Sequence, residues 1–127
     1  MSAMTVCWKG VFPAITTQMW QDGSIDFDGT ARHAQILIES GVKGLIFLGS
    51  LGENQTLLPQ EKRSTMQAMV QSVAGRVPVI SGVAEASTSA AIDYVRDLEE
   101  IGVDGFMVMP SMLYRGDPME SLQFFKQ

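Results

Sequence analysis

Two stretches of this chain are versions of each other. Glu39-Ser-Gly-Val-Lys-Gly-Leu-Ile-Phe-Leu-Gly-Ser50 aligns without gaps on Glu100-Ile-Gly-Val-Asp-Gly-Phe-Met-Val-Met-Pro-Ser111. In each, a helical pattern ends at an acidic residue and glycine supplies a left-handed cap. Four apolar residues then run to a small polar one. A helix handed straight to a short, wholly apolar strand belongs to a parallel sheet covered on both faces, so the repeat restricts the chain to an α/β architecture.

The same grammar extends along the chain. Val77-Pro-Val-Ile-Ser-Gly82 and the run from Val11 to Thr16 are two further short apolar segments. Between the runs the period becomes helical, through Phe27, Ala31, Ala34 and Ile38, then Met66, Met69, Val70 and Val73, then Ala90, Ala91, Tyr94, Val95, Leu98 and Ile101. Asp26 or Asp28 caps the first helix, Pro59 opens the second, and Ser87 or Thr88 caps the third. Asp117-Pro-Met-Glu120 is a capping box that starts a fourth, with Leu122 and Phe125 on its apolar face. The pattern predicts strands over about 11–16, 44–49, 77–82 and 105–110, and helices over about 27–40, 59–74, 87–101 and 118–127. All fall in one incomplete domain over residues 1–127.

A parallel α/β sheet either closes into a barrel or stays open. A dinucleotide-binding sheet calls for a third glycine after Gly49-Ser-Leu-Gly52, where Glu53, Asn54 and Gln55 stand instead, which favours the barrel. An open, flavodoxin-like phosphate binder remains the other possibility, with the Gly49–Gly52 loop as its anion site.

Composition excludes several function classes. A hydrophobic share of 46% supports a packed core, and a net charge of −5 without basic runs offers no footprint for nucleic acid or an anionic membrane. No apolar run approaches the ~20 residues of a membrane span, and no charged leader precedes an apolar stretch, so a cytoplasmic location is expected. Cys7 is the single cysteine, leaving no disulfide framework. The single histidine, His33, falls within a helical pattern, where a surface or packing role outweighs partnership with a thiol. The methionines Met66, Met69, Met107 and Met109 read as core.

In a barrel, chemistry collects at the C-terminal ends of the strands. That rule selects Thr16 and Thr17, Ser50 to Asn54, Ser81 to Glu85, and Ser111 to Arg115. The loop Gly49-Ser-Leu-Gly-Glu-Asn54 is the most informative, because two glycines bracket a hydroxyl and free backbone N–H groups that suit a small carboxylate.

The order Phe12-Pro-Ala-Ile-Thr-Thr17, Asp22-Gly23, Gly49-Ser-Leu-Gly-Glu53, Leu57 to Glu61-Lys62, Arg76-Val-Pro-Val-Ile-Ser-Gly82, Gly102-Val-Asp-Gly105 and Pro110 resembles the dihydrodipicolinate synthase and N-acetylneuraminate lyase family over nearly the whole chain. The resemblance implies the N-terminal half of a (β/α)₈ TIM barrel, without metal or cofactor, from a homo-oligomeric (dimeric or tetrameric) lyase. The substrate would be pyruvate or another 2-oxo acid, bound as a lysine Schiff base. It implies substrate-binding roles for Gly49, Ser50, Leu51, Gly52 and Thr17, and proton relay through Ser50 and Tyr114. Two positions depart from the family. Leu51 replaces a second hydroxyl, and Pro110-Ser-Met-Leu-Tyr114 replaces paired tyrosines directly after the proline, so Tyr114 stands as a displaced equivalent.

The four lysines are Lys9 and Lys43, each ahead of a strand, Lys62 on the second helix and Lys126 on the fourth. None follows a strand, so none is placed to be the Schiff-base amine. The expectation is a fragment of a longer lyase, inactive alone. Leu51 and the Ser111–Tyr114 loop also admit a pyrroline-carboxylate deaminase of the hydroxyproline pathway. A non-catalytic oligomerisation or regulatory module is the alternative of another class.

Overall fold

The computed structural model describes residues 5–127. Helix α1 spans Phe27–Glu39, strand β1 Leu45–Phe47, helix α2 Pro59–Val73, strand β2 Val79–Val83, helix α3 Thr88–Ile101, strand β3 Gly105–Val108 and helix α4 Pro118–Lys126. A 3₁₀ turn at Asn54–Thr56 lies between β1 and α2. The strands form one parallel sheet in the order β1-β2-β3. Leu45 is opposite Val79, and Ile80 is opposite Gly105.

The predicted strand over 11–16 contributes one isolated parallel bridge, Ala14 with Ile46, rather than a strand. Ile15 N–H donates to the Ile46 carbonyl and Ile46 N–H to that of Pro13. In that register the next bond would run from the N–H of residue 13 to the Gly44 carbonyl, and proline has no N–H. The segment therefore lies along β1 as an edge without completing a ladder.

Helix ends follow their capping chemistry. The Asp26 carboxylate accepts from Gly29 N–H, the Ser87 hydroxyl from Ala90 N–H, and Asp117 from Met119 and Glu120 N–H. Glu120 returns a bond to Asp117 N–H, closing the capping box. Gly41 and Gly102 take positive φ after α1 and α3, where a Cβ would be strained.

Every residue of β2 is buried, as a strand covered on both faces must be, whereas Met107 and Val108 on β3 are exposed. The core gathers Ile15, Leu45, Phe47, Leu48, Met66, Met69, Val73, Val83, Tyr94 and Leu98 between the sheet and the α1–α2–α3 layer. This is the N-terminal half of a (β/α)₈ barrel, with the C-terminal strand ends and their loops on one side.

Candidate functional site

The loop after β1 is braced from three directions. Leu48 takes a left-handed backbone, φ 53, at the point where the chain leaves the strand. A Cβ on Gly52 would come within 2.8 Å of Leu48 N, so only glycine allows the loop to fold back on itself. Glu53 N–H closes onto the Ser50 carbonyl at 3.1 Å, and Asn54 N–H onto that of Gly49 at 3.3 Å. The buried Thr17 hydroxyl donates to the Gly52 carbonyl at 2.7 Å. Asn54, 1% exposed, donates from Nδ2 to the Leu48 carbonyl at 2.9 Å and to that of Gly82 at 3.3 Å.

The result is polarised. The carbonyls of Leu48, Gly49, Ser50 and Gly52 all accept hydrogen bonds. Among the described residues, nothing accepts from the N–H groups of Ser50, Leu51 or Gly52. A loop with occupied acceptors and free donors attracts an anion. Ser50 and Leu51 are exposed, so this face is open to a ligand.

Thr17, expected to touch substrate, is engaged with the loop's own backbone. Tyr114 lies elsewhere. It is 63% exposed and borders an open cavity of about 1040 Å³ with Ser87, Ser111, Arg115 and Asp117, and no residue of 49–52 lines that cavity. One side-chain bond reaches the second loop from the first, and β3 itself comes close to Gly49. Met107 Cε lies 3.3 Å from where a Cβ on Gly49 would be, and Gln55 Nε2 donates to Met112 Sδ at 3.4 Å. Ser50 and Tyr114, read together from the sequence, are thus not brought into one cluster by this chain.

Behind the strand ends a polar network joins Ser81 and Glu85, which the strand-end rule selects, to Lys62, Arg63 and Tyr94, which it does not. The Lys62 ammonium, its side chain 6% exposed, pairs with Glu85 at 3.0 Å, directly beyond β2. Lys62 sits on a helix, yet its side chain reaches the C-terminal end of the sheet. Its spacing to Met66, Met69 and Val73 puts it on the buried face of α2, a signal present in the sequence. Lys62 Nζ and Arg63 Cζ lie 5.8 and 5.2 Å from the Tyr94 ring centre, within cation–π range. Arg63 also meets Asp97 at 2.5 Å.

Tyr94 OH and Ser81 Oγ are 3.0 Å apart, and Ser81 Oγ donates to the Gly82 carbonyl at 3.0 Å. With the single Ser81 hydrogen so engaged, the phenol must be the donor. Burial pushes the Tyr94 phenol up to about 12, reinforced by the Glu85 charge and opposed by Arg63. It stays protonated and able to donate at neutral pH.

No cluster of three or more metal-ligating side chains occurs among the described residues. No described helix is long and apolar enough to cross a membrane.

Comparison with known proteins bears on this geometry. The Dihydrodipicolinate synthetase family matches residues 7–127. A 4-hydroxy-tetrahydrodipicolinate synthase of Methanococcus vannielii is 38% identical over 115 residues, covering 91% of this chain and 39% of the relative. Among solved structures, a dihydrodipicolinate synthase of Bacillus anthracis superposes with a TM-score of 0.86 at 31% identity, covering 92% of this chain and 40% of that one. YagE of E. coli K12, a family protein solved in complex with pyruvate, superposes at 0.90 with 29% identity, covering 94% and 40%. The chain spans about two fifths of the length of the relatives it matches. With its parallel half-barrel and its match over almost every residue, the chain belongs to the dihydrodipicolinate synthetase family.

Proposed function

We propose that this chain supplies the carboxylate-binding part of a lyase that takes pyruvate or a related 2-oxo acid as a lysine Schiff base. The observation that carries the reading is the loop at Ser50, Leu51 and Gly52, whose N–H groups are free while the neighbouring carbonyls are bound. A 2-oxo acid carboxylate set against those donors leaves its keto carbon to be attacked by an amine, which forms the imine and releases water. Ser50, exposed at the same loop, is the hydroxyl within this chain best placed to pass a proton to or from that centre. Tyr114 would join the relay only by reorientation of its loop or from a neighbouring subunit of a homo-oligomer.

None of the four lysines of this chain is taken as that amine. Lys62 reaches the strand ends, where it is held in an ion pair with Glu85. Leu51, exposed where the family carries a hydroxyl, favours a substrate other than that of a true dihydrodipicolinate synthase, and a pyrroline-carboxylate deaminase fits that change.

Titration of the ¹⁵N-labelled chain with pyruvate tests the reading. The amide signals of Ser50, Leu51 and Gly52 should shift together, and borohydride should trap no covalent adduct. Absence of loop shifts would overturn carboxylate binding. A reduced adduct at any of the four lysines would overturn the assignment of the amine.

A further inference from the structure

Asn54 has the environment of a group kept for one task. It is 1% exposed and its Nδ2 bridges two carbonyls on different segments, Leu48 at the end of β1 and Gly82 within β2. Its Oδ1 is buried and meets no donor among the described residues. Rotating the amide would not help, because Oδ1 would then face two carbonyl oxygens and lose both bonds. The side chain is committed through its donor, which holds two carbonyls on different segments together.

That geometry concerns the loop. With φ at 53, Leu48 turns its carbonyl toward the position a Cβ on Gly82 would fill. The Leu48 and Gly82 carbonyls share one donor, Asn54 Nδ2, which fixes both at once. On the far side, Gly82 O also accepts from Ser81, which accepts from Tyr94. A buried chain of hydrogen bonds thus runs from α3 through β2 to the start of the loop, with Asn54 as its last link.

We infer that Asn54 is a positioning residue for ligand binding: by donating to Leu48 and Gly82 it turns their carbonyls away from the mouth, so that Ser50–Gly52 presents N–H groups alone. This rests on the reading that the loop binds a carboxylate. Asn54 does not itself touch the ligand.

Asn54→Asp keeps the size and removes the donor. As long as the introduced carboxyl is protonated it still donates to one carbonyl, and once ionised it repels both. Pyruvate affinity, followed by the Ser50–Gly52 amide shifts, should therefore fall at least about tenfold as the pH rises from 6 to 9 in the variant, and stay nearly flat in the unaltered chain. A residue with only a packing role would lower the melting temperature without creating that pH profile. Asn54→Ser, which retains a single donor, should bind several-fold more weakly than the unaltered chain at both pH values. If neither variant folds, exchange in the unaltered chain decides: the Asn54 side-chain amide protons should be protected from solvent. Equal, pH-independent affinity in the variants, or a freely exchanging Asn54 amide, overturns the inference and leaves the carboxylate reading intact. Failure of the unaltered chain to bind pyruvate overturns both.

Discussion

The loops after β1 and β3 occupy equivalent places in the repeat that opened the sequence, yet they are built differently. Residues 48–54 are anchored by Thr17, by Asn54 and through Gly82. Residues 112–116 are all exposed, and among the described residues they are tethered by the Gln55–Met112 contact and a Leu113 N–H to Ser111 Oγ bond, both at 3.4 Å. A binding surface that must be rigid before its ligand arrives needs the first arrangement. The second is shaped by whatever packs on it.

Gly82 against Gly116 gives the largest expected difference. A Cβ on Gly82 overlaps the Leu48 carbonyl, which is backbone and cannot step aside, so Gly82→Ala should cost about 3 kcal/mol or more. On Gly116 the nearest neighbour is the end of the Glu120 side chain at 3.3 Å, and Gly116→Ala should stay within about 0.5 kcal/mol. Urea denaturation of both variants measures this. Equal costs would erase the distinction between the loops.

Next in size is the pH dependence of the brace behind the first loop. Tyr94, pushed up to about 12 by burial, holds its proton more tightly folded than at the ordinary 10.0. Its contribution is complete below pH 10 and is lost as the pH climbs to 12. That two-unit gap corresponds to about 2–3 kcal/mol. Tyr94→Phe should remove this part of the alkaline decline, read as the difference between the two unfolding free energies at pH 10 and at pH 12. Parallel curves would detach Tyr94 from the network.

How the repeat shows in the sequence explains why these differences do not. Periodicity and caps fall on local residues, so the helices, β2 and β3 can be read from spacing, and Asp26, Ser87 and Asp117 announce where helices begin. The edge at 11–16 reads as a strand by its apolar character, while the missing Pro13 N–H governs its pairing. Loop roles depend on contacts across 28 to 35 positions, Asn54 to Gly82 and Thr17 to Gly52, which no local pattern encodes. The two carbonyls they meet belong to backbone, which carries no sequence signature.

A smaller effect comes from Thr17→Val, which keeps the shape and removes the donor to the Gly52 carbonyl. A buried carbonyl left unpaired costs about 1–3 kcal/mol, and the lower half of that range is expected because the loop faces solvent at Ser50 and Leu51. Pyruvate binding should weaken alongside, since a released Gly52 carbonyl can turn toward the carboxylate. Destabilisation with unchanged pyruvate affinity would show that Thr17 holds the fold but not the loop's polarity.

The smallest expected change is also the sharpest probe of the second loop. Tyr114 makes no side-chain hydrogen bond among the described residues and is largely exposed, so Tyr114→Phe should alter the unfolding free energy by less than about 0.5 kcal/mol. Nor should it move the Ser50–Gly52 amide shifts produced by pyruvate, because Tyr114 lines a different cavity from that loop. An effect on either would mean that the loop after β3 folds over the carboxylate site in solution. With neither affected, any influence of Tyr114 on chemistry must come through an assembled barrel or a neighbouring subunit, where the phenol can meet a site that this chain does not bring to it.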